Sequence, residues 1–293
     1  MRDDAHPHPA DRLPRAFVVG CQKSGTTWMQ HLLQAHPEVC SHGEATFAAH
    51  LVLPMIQQLK AYNTRQRVGE LNTFVDDEIL ALARESVQVL QRKWLDACDA
   101  PQRVRVIAEK TPEHAIALHV LGAVFPSMRV IHIIRDGRDG VVSGWHHNIR
   151  SKGDAFRVQF PTMKGYSRYF AEHHWVPYIT RARAWGETNP GRYLELQYEH
   201  ALEKPHEQAW RIFAFLGVNT EKALIDEVVE RASFRSLSGG RSSGEVDNAS
   251  HFRKGQSGGW KTDLRHDSID AFEQIGGQLL EDLGYARAER VVV

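Results

Sequence analysis

The sequence is short of cysteine and carries no net charge. Its three cysteines, Cys21, Cys40 and Cys98, share no metal-ligand spacing and leave one over if paired. Neither a cysteine metal site nor a disulfide framework is therefore expected, and a reducing compartment is. Thirty-six basic residues balance 36 acidic ones, which argues against a nucleic-acid partner or a basic membrane-surface patch. Any anion site must be local. No apolar run of about 18 residues occurs, and the N-terminal "MRDDAHPHPADRLPR" lacks the apolar centre of a signal peptide. A cytoplasmic protein with no integral membrane segment is expected. Internal repeats and low-complexity tracts are absent too. The 17 histidines include the groups "HPHP", "WHHN" and "EHHW" but no recurrent ligand spacing, so they read as structural or surface residues.

What remains is an ordinary globular composition, 42% hydrophobic and 25% charged over 293 residues, with ample length for a buried core. Apolar runs at 15–20, 104–109, 128–135 and 192–197 predict buried strands. Helical patterns follow three of them, from Ser24 onward, over 112–124 and over 137–149, and further amphipathic stretches span 45–61, 76–97, 165–187, 205–216, 219–231 and 267–283. Strands alternating with helices predict an α/β fold, a single-domain parallel sheet with helices on both faces. The domain is placed at 15–285, between a polar extension, 1–14, and a tail, 286–293. The glycine- and serine-rich 238–259 reads as a long loop of the lid or disordered type.

The stretch "FVVGCQKSGTTW", 17–28, places Gly20 and Gly25 at the spacing of a triphosphate-binding loop, G-x-x-x-x-G-K-[ST]. Thr26 stands in the lysine slot, however, and the lysine comes three residues earlier as Lys23. Strand, glycine loop and helix still place backbone N–H groups and a helix N-terminus against a phosphate. A Walker-B aspartate is missing: "MRVIHIIR" ends in Arg135 and "VRVIAE" in Glu109. A cation at a strand end suggests another anion to be bound.

"QKSGTTW" resembles the 5′-phosphosulfate loop of sulfotransferases that use 3′-phosphoadenosine 5′-phosphosulfate (PAPS). "RDGRDGVVS" is similar to the family's 3′-phosphate motif, an arginine ending a strand and a serine eight residues later, here Arg135 and Ser143. "RKGQSGGWK", 253–261, resembles its C-terminal motif. The three occur in family order across 17–261. The resemblance implies a P-loop-like sheet and a donor site built from Gln22, Lys23, Ser24, Gly25, Thr26 and Thr27. Trp28 and Phe234 would flank adenine, Tyr198 would hydrogen-bond it, and Arg135, Ser143, Arg253, Lys254 and Gly255 would hold the 3′-phosphate. Lys23 would meet the bridging oxygen that gains charge as the S–O bond breaks, where an ammonium contributes most. The product would be 3′,5′-ADP, with no metal needed.

Small-molecule members of that family take the acceptor proton with the histidine of K-T-H, but here Pro112 follows Lys110 and Thr111. Two carboxylates can replace it. "SGTTWMQHLLQAHPEVCSHGEAT" resembles the tyrosylprotein branch, in which a glutamate at the spacing of Glu44 is the base. Glu109 in "EKTP" resembles the glutamate of heparan-type enzymes. Glu44 is placed first and Glu109 second. Lys110 is assigned to the transferring sulfonate oxygens, and His114 to a helix surface. The resemblance departs at Gln22, where a proline is usual, and at Gly259, often aspartate. The family's K-x₃-T-V-x₃-E dimerisation signature is not found, so no oligomeric state follows. A small-molecule, carbohydrate or peptide hydroxyl is the expected acceptor class. Two other readings share the loop: a non-catalytic nucleotide-binding protein on the same fold, and a Mg-ATP phosphotransferase.

Overall fold

The computed structural model describes residues 7–66, 70–242, 245 and 256–288. The apolar run Arg15–Gly20 forms strand β1, buried along its whole length. Val39–Cys40 (β2), Val106–Lys110 (β3), Arg129–Ile134 (β4) and Tyr193–Gln197 (β5) complete a five-stranded sheet in the order β2-β3-β1-β4-β5. Every pairing is parallel, so each connection must cross a face of the sheet. The sequence predicts four of these strands. β2 escapes because two residues are too short to show a pattern.

Alternate residues of β1 enter opposite cores. Ala16 and Val18 pack with Met29, Leu32 and Leu33 of the helix Thr26–Ala35 and with Ile212 and Phe213 of Pro205–Leu216. Phe17 and Val19 face the other layer, with Ile179 of Val176–Thr188 and Phe272 of His266–Asp282. This two-layer burial is why the strands read as continuous apolar runs and not as alternating ones.

Several expected helices change character. The stretch 112–124 opens as a 3₁₀ turn, Pro112–Ile116, and becomes α-helical only at Leu118–Val124. The stretch 45–61 becomes a π-helical turn, Ala48–Val52, leading into Leu53–Arg65. Likewise 165–187 divides into Met163–Phe170, a π-helical turn Ala171–Trp175 and Val176–Thr188. Both π-turns run straight into an α-helix that carries proline near its start, where the missing N–H is tolerated. Residues described within 238–259 contain no strand or helix. Among the described residues, no helix is long and apolar enough to cross a membrane.

One buried cation ties the C-terminal elements to the sheet. Arg138, 1% exposed, donates from Nε and Nη2 to the two oxygens of Asp136 at 3.0 and 2.7 Å, from Nη1 to Glu273 at 2.8 Å, and from Nη2 to the Ala286 carbonyl at 2.8 Å. Its guanidinium lies 3.6 Å from the ring centroid of Trp260. Removing one partner of such a network strands the others without solvent. Arg138→Ala is expected to cost on the order of 3–5 kcal/mol in urea unfolding; a loss below about 1 kcal/mol contradicts this account.

Candidate functional site

Parallel pairing brings the carboxyl ends of four strands to one edge. Val18 pairs with Lys110, Gly20 with Ile133, and Ile134 with Gln197. The residues just beyond these ends, the loop after Gly20, Thr111, Arg135 and Tyr198, are therefore neighbours although far apart in sequence. In this order β1 lies between β3 and β4, and a crevice outside the carboxyl ends at such a reversal is where open α/β sheets bind ligands.

The loop leaving β1 is a tight turn. The Ser24 N–H donates to the Cys21 carbonyl at 3.2 Å, and Lys23 is held at φ 70°, the left-handed region. A side chain there costs about 1–2 kcal/mol, which the surrounding fold sustains. Gly25, at φ 95°, caps the helix Thr26–Ala35, whose N-terminal N–H groups carry partial positive charge. A Cβ on Gly25 would lie 2.3 Å from the Tyr198 ring, so glycine is demanded twice, by torsion and by contact.

Burial lowers the Lys23 ammonium to a pKa of about 8, and repulsion from Arg150, Arg135 and Lys110 adds to this while Glu44 opposes it. Arg135 follows β4. It donates from Nη1 to the Lys23 carbonyl at 3.4 Å and from Nη2 to the Gln256 carbonyl at 2.9 Å. Its guanidinium stands 4.6 Å from the Tyr198 ring centroid and 3.5 Å from the Asp139 carboxylate. Arg135 Nε is buried with no hydrogen-bond partner among the described residues, an uncommon state for a donor. Asp139 also accepts from the N–H groups of Gly258 and Trp260 at 2.6 and 2.9 Å, which docks the end of the 238–259 loop against the helix Gly137–Lys152.

These groups surround a cavity of about 440 Å³. Its charged lining includes Lys23, Glu44, Arg135 and Asp139; its apolar lining includes Trp28, Leu202, Phe234 and Leu237. Gln22, Gly25, Thr26, Thr27, Ser143 and Tyr198 also line it. Ser24 is buried beneath the loop, 3% exposed, and is not part of the lining.

The carboxylates have separate fates. Glu44 reaches the cavity and pairs with Lys110 Nζ. Glu109 is 1% exposed and turned to structural work: its Oε1 accepts from the Ala45 N–H at 2.8 Å and from the Thr111 hydroxyl. The Thr111 hydroxyl oxygen in turn accepts from the Thr46 N–H at 3.1 Å. Glu109 and Thr111 thus pin the backbone that carries Glu44. Lys110, expected at the sulfonate, is itself buried and does not line the cavity. His114 is not on a helix surface: it is 1% exposed, edge-on to Phe17, with Nε2 3.0 Å from Glu109 Oε2.

A family model described as "Sulfotransferase family" matches residues 14–222. The chain belongs to the sulfotransferase family. A cytosolic sulfotransferase of Arabidopsis thaliana is 26% identical over 196 residues, 61% of this chain and 58% of the relative. A protein-tyrosine sulfotransferase of Gallus gallus is 26% identical over 231 residues, 77% of this chain and 57% of the relative. The chain thus spans little more than half the length of these curated relatives. Among solved structures, a mouse sulfotransferase complexed with PAP superposes with a TM-score of 0.56 at 15% identity, covering 92% of this chain and 86% of its own. The sulfotransferase domain of a Synechococcus olefin synthase gives 0.52 at 17% identity, covering 98% of both chains. At these identities the structural likeness is one of fold.

Of the residues carrying the sulfotransferase-family motifs, those of the loop after β1 except Ser24 meet Arg135 and Ser143 at the cavity, while Arg253, Lys254 and Gly255 lie outside the described residues. Sequence reading missed Asp139, His147, Glu113 and Gln256 as lining. Asp139 and His147 were legible in principle, because 139, 143 and 147 recur every four residues along one face of the helix that Arg135 precedes. Glu113 was not: it enters through the 3₁₀ turn, where the Gln22 amide donates to its carboxylate. Gly25→Ala is expected to force Tyr198 or the loop aside and to destabilise by about 2–3 kcal/mol. In a Tyr198→Ala background only the torsional part, about 1 kcal/mol, should remain. Additive effects in that double-mutant cycle contradict the assigned contact.

Proposed function

We propose that this protein transfers a sulfonate group from PAPS to an acceptor hydroxyl, with Glu44 as base. The observation that carries the reading is the single cavity that gathers Lys23, Arg135 and Glu44 with the apolar surface of Trp28 and Phe234. The family membership and the PAP-bound fold relative support the choice of donor. The residues present fit it. Thr26 and Thr27 at the helix start suit the 5′-phosphate, Arg135, whose Nε has no partner among the described residues, and Ser143 suit the 3′-phosphate, and Trp28 and Phe234 offer faces for adenine.

In the proposed step the acceptor oxygen attacks sulfur in line with the bond to the bridging oxygen. The new O–S bond forms as the S–O bond to the 5′-phosphate breaks; the hydroxyl proton passes to Glu44, and 3′,5′-ADP leaves. Lys23 meets the charge that collects on the bridging oxygen. Lys110, paired to Glu44, orients that carboxylate and reaches the sulfonate oxygens only if the pair opens. Glu109 acts through Glu44: it accepts the Ala45 N–H and so sets the base's position. The acceptor is a hydroxyl compound that approaches past Glu44; phenols, sugars and peptide tyrosines all satisfy that chemistry. A cytoplasmic setting accords with the scarcity of cysteine.

Lys23→Ala is expected to abolish turnover while leaving substantial affinity for 3′,5′-ADP. A bound anion raises the lysine pKa above its value of about 8 in the free protein, so binding draws in a proton. Affinity should be full below pH 8 and fall as pH rises above it, and the fall should vanish in Lys23→Ala; calorimetry at several pH values measures both. Near-normal kinetics in that variant would refute the role. Glu44→Gln should lower kcat by about 10²–10⁴ with nucleotide affinity intact. A variant within tenfold of the parent refutes Glu44 as the base.

A further inference from the structure

The cysteines that share no ligand spacing in sequence are brought together by the fold. Cys40 at the end of the edge strand β2, His42 just beyond it, and Cys98 after the helix Asp76–Asp96 place one ligand atom each within 4.8 Å of the others. Cys98 Sγ lies 3.8 Å from His42 Nε2. Metal–sulfur and metal–nitrogen bonds of about 2.3 and 2.0 Å at a tetrahedral angle put those atoms about 3.5 Å apart, so a movement of a few tenths of an ångström seats an ion between them. We propose that Cys40, His42 and Cys98 form a site for a thiophilic divalent cation of the zinc class, distinct from the cavity and independent of the proposed transfer reaction.

The surroundings suit a cation. The Trp94 carbonyl, in the last turn of the helix Asp76–Asp96, lies 3.0 Å from His42 Nε2 and 3.4 Å from Cys98 Sγ. In the free chain Nε2–H and Sγ–H donate to that carbonyl, so seating the ion ends both bonds, shifts the imidazole proton to Nδ1 and places a cation beside a helix C-terminus, where positive charge is favoured. Two thiolates and one imidazole select zinc-like ions over calcium or magnesium, which take oxygen. Binding displaces two thiol protons and leaves a fourth position for water. Cys40 is buried among Leu95, Val104 and Ile107, and that burial raises its thiol pKa, so the ion must supply the charge that stabilises the thiolate. Once bound, it staples β2 to a helix end 56 residues away. It also braces the chain four residues before Glu44.

The test is titration of the full, reduced, metal-free chain with Co²⁺ under anaerobic conditions. The expected result is a single equivalent bound with tetrahedral ligand-field bands and thiolate-to-cobalt charge transfer, displaced by Zn²⁺, and a Tm raised by Zn²⁺. Cys98→Ser should weaken the charge-transfer band, and His42→Ala should lower affinity at least tenfold. Both positions are more open than Cys40, so the test stands even if Cys40→Ser fails to fold. Uptake unchanged by these substitutions assigns the metal to other histidines and overturns the site. So does an octahedral spectrum without thiolate bands, or a reduced chain that takes up no cobalt yet closes a Cys40–Cys98 disulfide with peroxide.

Discussion

Cations delivered by separate strands meet at one edge of a parallel sheet, where Lys110 pairs with Glu44 and Arg135 with Asp139 while Lys23 has no ion pair among the described residues. Lys23 comes from the turn after β1, Lys110 from the end of β3 and Arg135 from the end of β4, and pairing register makes them neighbours. Burial and mutual repulsion together pull the Lys23 ammonium down to about 8. The fold tolerates this because the backbone is bound elsewhere: Trp175 donates to the Arg135 carbonyl at 2.9 Å, and Tyr198 fills the space over Gly25 that any other residue would need. An arrangement that holds like charges close in the free state is pre-organised for a polyanion.

The two glutamates illustrate how burial sorts chemically identical groups. Glu109 is closed off by a backbone N–H, a hydroxyl and the His114 ring, and its interactions are made within the chain. Glu44 keeps a side chain about half exposed, 48%, and shares it with one lysine. A carboxylate that must meet a substrate needs an open side; one that must hold a loop needs partners on every side. In the proposed reaction Glu109 is thereby the support of Glu44 and not its rival.

The C-terminal part is coupled to the same edge through Asp139 and Arg138, one turn into the helix Gly137–Lys152. Asp139 accepts two N–H groups from 258 and 260, and Arg138 lies beneath the Trp260 ring. The "GGW" of the C-terminal motif thus has a role of its own: Gly258 turns at φ 76°, a conformation that favours glycine, and the tryptophan covers a buried ion network. Phe234 and Gln256, which lie on either side of that stretch in sequence, both line the cavity.

Legibility followed the range of the interaction. The strands β1, β3, β4 and β5, the helix Pro205–Leu216 and the loop 20–27 could be read directly, since burial on both sheet faces and a glycine-bounded turn are local patterns. The boundary at 112–117 could not, because a proline after Thr111 is compatible with a helix start as well as with the 3₁₀ turn that docking on β1 selects. The strand β2 exists only through its pairing with β3. Residue types and their spacing along the chain sufficed to single out a glycine-bounded loop with a displaced lysine and two candidate bases. Which carboxylate faces the cavity, why Lys23 titrates low and how Cys40, His42 and Cys98 meet were decided by the tertiary structure. Burial, register and distance between segments are sums over partners remote in sequence, and no local pattern contains them.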